Sequence, residues 1–69
     1  MAKTLLPHQQ RVVEEHDQLD ERLERLHVFI EDNPIFKELP KIEQRRLIDQ
    51  RAYMTAYRNV LRDRMDYFG

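Results

Sequence analysis

The sequence contains no cysteine, no serine and no tryptophan, and its single glycine is residue 69. The absence of cysteine excludes disulfides and thiolate metal ligands. Aliphatic hydroxyl groups occur only at Thr4 and Thr55, so no nucleophile–base set can be assembled and we expect a protein that is not an enzyme. With a single glycine, the sequence cannot form a glycine-rich phosphate-binding loop.

Long apolar runs are also missing. No stretch approaches the ~20 residues that a membrane-spanning helix needs, and the apolar stretch within residues 1–7 is too short for a signal peptide. We therefore expect a soluble cytosolic protein that does not bind a membrane. The net charge of −1 disfavours general binding of DNA.

Two stripes of mainly apolar residues fill most of the chain, each with alternating three- and four-residue spacing. Such spacing places each stripe on one side of a helix. The first stripe consists of Val12, His16, Leu19, Leu23, Leu26 and Ile30. The second stripe consists of Leu47, Gln50, Met54, Tyr57, Leu61, Arg64 and Phe68.

Prolines set the boundaries of these helices. Pro7 suits the first turn of a helix that runs to about residue 31. Asn33-Pro34 and Leu39-Pro40 break the chain on either side of a short turn. The sequence predicts an all-α fold in one domain, residues 1–69: two long helices joined by a short bent helical turn, an αα-hairpin.

The long helices are expected over about 7–31 and 40–67, with the turn over 35–38. We expect Phe36 and Leu39 to close the open end of the hairpin.

The size of the chain favours a homo-oligomer. A domain of 69 residues without disulfides is marginal as a monomer. Additional apolar residues beside both stripes widen the apolar surface beyond what one partner helix covers. The residues predicted to lie between copies are His16, Gln50, Met54, Tyr57, Leu61 and Phe68.

Arg64 is the most unusual residue of the second stripe. It lies between Leu61 and Phe68, and a buried charge without a partner is costly. Three partners are possible: a carboxylate from another chain, water at the rim of an interface, or the phosphate of a ligand.

Three further arginines, Arg11, Arg22 and Arg25, lean towards one side of the first helix. Ion pairs within the helix are one interpretation, since Glu14 and Glu15 follow Arg11 at helical spacing. Glu21 likewise precedes Arg25 by one turn. Arg22 has no acidic residue three or four positions away, so it is the freer cation. A phosphate-binding ridge is the other.

Histidines offer little metal chemistry. His16 and Asp20 could share a helix face, but no second set of ligands accompanies them, so we predict no metal site. His8 follows Pro7 at the start of the first helix, where it is either simply exposed or placed to stack on a base.

The order of residues along the chain resembles one known family. The matching segments are Pro7-His8-Gln9-Gln10-Arg11-Val12-Val13-Glu14-Glu15, Leu19-Asp20-Glu21-Arg22-Leu23, Leu26-His27-Val28-Phe29-Ile30, Asn33-Pro34-Ile35-Phe36 and Leu39-Pro40, followed by Leu47, Gln50, Met54, Tyr57, Leu61 and Arg64. This pattern resembles the small phage and prophage proteins that include the anti-CBASS cyclic-oligonucleotide sponges.

The resemblance implies a homohexamer in the cytoplasm of an infected bacterium that uses no cofactor. Such proteins bind cyclic dinucleotides between paired protomers and cyclic trinucleotides in separate pockets, without cleaving them, and so block CBASS-type immunity. By this resemblance, His8 stands near an aromatic position that stacks on a base, and Arg22 or Arg25 stands near a basic position that contacts phosphate. Arg64 resembles an arginine of the trinucleotide pocket.

Two other functions remain open at this point. A helical oligomer could instead bind another protein through its apolar stripe, as a regulatory module with no nucleotide ligand. A helical protein that binds DNA or RNA is disfavoured by the net charge of −1 and would show strong, salt-sensitive binding to plain duplex DNA.

Overall fold

The computed structural model describes residues 4–68. It contains three helices, α1 (Pro7–Asp32), α2 (Ile35–Glu38) and α3 (Lys41–Asp66). The two long helices pack against each other, so the predicted αα-hairpin is confirmed, and the ends of α1 and α3 lie within one residue of their predicted positions. Residues 1–3 and 69 of the predicted single domain lie outside the described residues.

The start of α1 depends on a proline and a glutamine. Pro7 occupies the first turn, where its missing N–H needs no partner. The side-chain Oε1 of Gln9 accepts a hydrogen bond from the backbone N–H of Leu6 at 3.0 Å, and this bond ties the incoming chain to the helix.

Polar side chains hold the corner between the long helices. The Oδ1 of Asn33 accepts a hydrogen bond from the backbone N–H of Ile35 at 2.9 Å, which supports the start of α2 as expected for asparagine beside a helix terminus. From α3, the Nε2 of Gln44 donates to the carbonyl oxygens of Lys37 at 3.2 Å and Leu39 at 2.9 Å.

Phe36 closes the end of the hairpin, as predicted. Its side chain is 7% exposed, and its ring meets that of Phe29 edge to face, with centroids 6.1 Å apart and planes at 89°. Leu39, the second predicted residue, is half-buried. The corner therefore has its own small apolar cluster beside the main core.

The first stripe lies in the core as predicted. Val12, Leu19, Leu23 and Ile30 are buried, and the remaining two members are half-buried. Val12 and Leu19 form the central cluster with Leu61, and Met54, Met65 and Phe68 pack around them.

The second stripe needs a correction, because α3 turns a different line of residues towards α1. We call this line the seam. Its members, which are buried or half-buried, are Leu47, Arg51, Met54, Arg58, Leu61, Met65 and Phe68. Gln50, Tyr57 and Arg64 were predicted to share the buried stripe but are exposed, since the helix is rotated so that residues one position further along take their places.

The hairpin is long and thin, with extents of 51 × 17 × 15 Å. Within residues 4–68, no helix has the length and apolar character needed to cross a membrane.

Candidate functional site

Two arginines lie in the seam, at positions that a helical hairpin usually fills with apolar side chains. The side chains of Arg51 and Arg58 are 25% and 24% exposed. The Nη1 of Arg51 lies 3.2 Å from the Oε1 of Glu31 and 3.3 Å from the Nδ1 of His27. The Nη1 of Arg58 lies 3.0 Å from the Oδ1 of Asp20. Carboxylates of α1 therefore hold both guanidinium groups across the seam.

These polar positions are incompletely satisfied. The Nε of Arg58 and the Nε2 of His16 are buried without a hydrogen-bond partner among the described residues. A buried donor left unpaired costs about 1–3 kcal/mol, and apolar residues of similar size often stabilise a fold as well as a buried ion pair does. The seam arginines therefore stabilise the contact between the two helices less well than apolar side chains of similar size would.

Beside the seam, the two helices leave a small cleft, which we call the notch. It has a volume of about 240 Å³ and is lined by Leu23, Glu24, His27, Arg51, Thr55 and Arg58. The Oγ1 of Thr55 donates a hydrogen bond to the carbonyl oxygen of Arg51 at 2.8 Å, which fixes the hydroxyl group between the two arginines.

A shallower depression adjoins the notch and shares three of its residues. It continues towards the corner over Ile48 and Ala52, past the carboxylate of Glu31. The surface therefore becomes more apolar from the notch towards the start of α3.

The predicted ligand-binding arginines lie on the other side of the hairpin. The pairs Asp20–Arg58 and Glu31–Arg51 fix the antiparallel register, and helical periodicity then places the two groups of residues on opposite sides of the helix pair. We call the second group the arginine–tyrosine side. Its exposed members are Arg11, Arg22, Arg25, Tyr53, Tyr57, Val60, Arg64 and Tyr67.

The arginines of this side differ in their pairing. Arg25 pairs with Glu21 one turn earlier, as predicted from the helical spacing. No ion pair of Arg11, Arg22 or Arg64 is found within residues 4–68. Arg22 was predicted to be the freer cation of the first helix, and this agrees with the pairing observed.

Arg64 lines a depression of about 380 Å³ near the end of α3, together with Val60, Asp63, Tyr67 and Phe68. Tyr67, which lines the same depression, is 91% exposed. His8, the predicted base-stacking residue, is exposed in the first turn of α1, and its role remains a prediction.

The residues predicted to lie between copies fall into two groups. Met54, Leu61 and Phe68 pack into the core of a single chain, and Leu61, at 1% exposed, has no surface left to offer a second copy. Gln50 and Tyr57 are exposed, and their contact with another copy remains a prediction.

His16 is held inside the hairpin. Its Nδ1 lies 3.1 Å from the Oδ1 of Asp17, and its side chain is 14% exposed. Asp20, which shares a helix face with it, pairs instead with Arg58. Within the part of the chain that the structure describes, no group of three metal-ligating side chains comes together.

We expect the Asp20–Arg58 pair to show strong coupling. Asp20→Ala should lower the free energy of unfolding by about 1 kcal/mol, because it leaves the Arg58 guanidinium half-buried without its carboxylate. Arg58→Met should be neutral or stabilising, since an apolar chain then fills the seam. In that background Asp20→Ala should cost almost nothing in a double-mutant cycle followed by urea unfolding.

The matched control is Asp49→Ala, which removes the partner of Arg45, a pair in which both side chains are more than half exposed. Its cost should stay below about 0.5 kcal/mol. Equal costs for Asp20→Ala in both backgrounds would contradict the role assigned to Arg58.

These features define a small all-α hairpin protein with charged surfaces on two sides. The chain belongs to the Sequestin family, whose model matches residues 6–67. The family name points to a sequestering role and specifies no ligand. No curated protein and no solved structure matches the chain.

Proposed function

We propose that the protein binds and sequesters cyclic oligonucleotide second messengers, cyclic trinucleotides, cyclic dinucleotides or both, without cleaving them. Held in this way, the messenger would no longer activate CBASS-type immunity in the cytoplasm of the infected bacterium. The observation that carries the proposal is the Sequestin match over residues 6–67. The ligand class comes from the resemblance to anti-CBASS sponges described above.

The arginine–tyrosine side has the chemistry that such ligands need. A cyclic oligonucleotide presents phosphates and flat bases. Arginine makes charge-assisted, bidentate contacts with phosphate, and stacking of a base on an aromatic ring contributes about 1–3 kcal/mol. Arg22 and Arg64 supply free guanidinium groups on this side, and the exposed His8 supplies a flat ring at the start of α1.

Assembly into a homohexamer belongs to the same proposal. Over residues 4–68, the hairpin is 17 × 15 Å in cross-section and offers shallow depressions but no enclosed pocket for a whole cyclic oligonucleotide. The exposed Tyr53, Tyr57, Val60 and Tyr67 form an apolar surface of the kind that copies of a chain bury against each other. Symmetry would then bring several arginines around one ligand.

Calorimetric titration of the purified protein, with its mass in solution measured first, tests the proposal. The ligands are cyclic triadenylate and a cyclic dinucleotide. We expect saturable binding, recovery of intact ligand after the protein is denatured, and a stoichiometry that reports the number of sites per assembly. Cleavage of the ligand, or no heat with either ligand from a well-folded protein, would contradict the proposal.

Arg64→Ala should weaken binding of the cyclic trinucleotide about tenfold or more, because it removes charge-assisted contacts to phosphate. The measured mass of the assembly should not change. Arg45→Ala is the matched control, since that arginine is also exposed on α3 and its side chain is 80% exposed beside Asp49. Equal loss in both variants would show that only the general charge of α3 matters.

A protein-interaction module is the second candidate function. The exposed apolar surface of α3 favours it, since large apolar patches mark sites of protein association. If the folded protein binds neither cyclic nucleotide, protein interaction becomes the favoured function instead of sequestration.

A further inference from the structure

We propose that the notch is a separate phosphate-binding site, on the side of the hairpin opposite to Arg22 and Arg64. It would hold one phosphodiester group of the ligand, with the attached ribose or base over Ile48 and Ala52. This inference rests on the proposed function for the identity of the ligand. The notch itself is formed by the seam arginines and the residues around them.

The donors are already in place. Arg51 and Arg58 lie two turns apart on α3 and both line the notch. Each uses its Nη1 for the hydrogen bonds to α1, whereas a guanidinium carries five N–H donors. His27 adds a ring nitrogen at the same cleft. An anion that enters the notch therefore finds donors on two arginines and an imidazole.

The carboxylates nearby orient the arginines without closing the site. Glu31 and Asp20 are each 51% exposed and lie within 3.2 Å of their arginines. Because both carboxylates remain accessible to water and each guanidinium has further N–H donors, a phosphate can share the arginine without leaving a carboxylate buried and unpaired. Glu24 is different, because it lines the notch and no ion pair holds it within residues 4–68. It is the group that opposes an incoming anion.

The size of the notch sets what it can hold. At about 240 Å³ it falls below the ~300–1,000 Å³ of pockets that enclose drug-sized ligands. It suits a single phosphate with part of its sugar. The adjoining depression, with Ile48 and Ala52, gives the apolar part of the nucleotide a surface to cover.

Replacing the arginines with methionine separates binding from folding. Arg51→Met and Arg58→Met keep the length of the side chain and fill the seam with apolar atoms, so the hairpin should stay folded. Each should weaken binding of cyclic triadenylate about tenfold in calorimetry, because charge-assisted hydrogen bonds to phosphate are lost. Arg45→Met, outside the notch, is the control and should change the affinity less than about twofold.

Glu24→Gln tests the same site in the opposite direction. It removes the negative charge of the notch and should raise the affinity for cyclic triadenylate about threefold or more. Glu14→Gln makes the same change of net charge at an exposed position of α1 and should have a smaller effect. Neither of these two glutamine variants alters the seam. Comparing their affinities therefore tests the notch even if the methionine variants fail to fold.

Titration with inorganic pyrophosphate, monitored by the amide chemical shifts of Ala52 and Thr55, distinguishes the two proposals. If the wild type binds cyclic triadenylate and the notch variants bind it equally well, the notch is overturned and the proposed function stands. If the wild type ignores cyclic nucleotides but pyrophosphate shifts these amides, and the shifts vanish in Arg51→Met, the notch stands and the proposed function falls. If neither probe binds, both are overturned.

Discussion

Truncating Leu61 to alanine should lower the free energy of unfolding by about 2–5 kcal/mol, the usual cost of a cavity in a tight core. Leu61 is 1% exposed and lies where Val12 and Leu19 of α1 meet α3. A core in a chain this small rarely supplies more than about 3–5 kcal/mol. The variant should therefore be largely unfolded, which loss of the helical signal in far-UV circular dichroism would show.

Val28→Ala is the control for Leu61→Ala. Val28 is 44% exposed on α1, and alanine favours a helix slightly more than valine does. Its urea midpoint should stay close to that of the wild type. A Leu61→Ala protein as stable as Val28→Ala would mean that contacts other than those of Leu61 hold the hairpin together.

Phe36→Ala should have the second large effect, a loss of about 3–5 kcal/mol. The ring of Phe36 is 7% exposed and meets Phe29 edge to face. Without it, the corner loses the side chain that packs α2 against the end of the hairpin. Urea unfolding, monitored by circular dichroism, measures the loss.

Two further variants serve as controls for Phe36→Ala. Phe36→Leu should recover a large part of the loss, since leucine refills much of the volume. Ile35→Ala, at a neighbouring position that is 53% exposed, should cost less than about 0.5 kcal/mol. Similar losses for Ile35→Ala and Phe36→Ala would show that the corner depends on helix propensity rather than on packing.

Much of the fold could be predicted from the sequence, for reasons that differ between the two long helices. In α1 the spacing of Val12, Leu19 and Leu23 leaves one possible apolar face, and the structure buries it. Pro7 and Asn33-Pro34 fix its ends, because proline favours a first helical turn and interrupts a continuing helix.

In α3 two lines of residues compete for the same position. One contains Gln50, Tyr57 and Arg64, and the other is the seam with Arg51 and Arg58. The first line contains one charged residue and the seam contains two, so the cost of burying charge makes the sequence alone favour the first line. The structure selects the second, because the alkyl stems of the arginines pack while Glu31 and Asp20 meet their charged ends.

The exposed arginines of the candidate site could be predicted from residue type alone. The ion pairs across the seam could not, because they depend on how the two long helices face each other. In the sequence, Arg22 and Arg64 have no acidic residue three or four positions away, the spacing at which helical ion pairs form. The notch was missed, since it requires the rotation of α3. One signal could have revealed it: Asp20 and Glu31 lie on one face of α1 and match Arg58 and Arg51 in an antiparallel register.

The thinness of the hairpin has a thermodynamic consequence. A molecule two helices thick, 17 × 15 Å in cross-section, cannot surround a large ligand by itself, so complete enclosure needs a second copy. In the proposed sponge, ligand binding and self-association would then be linked by mass action. Each would strengthen the other: the apparent affinity would rise as the protein accumulates, and dilution would release the ligand.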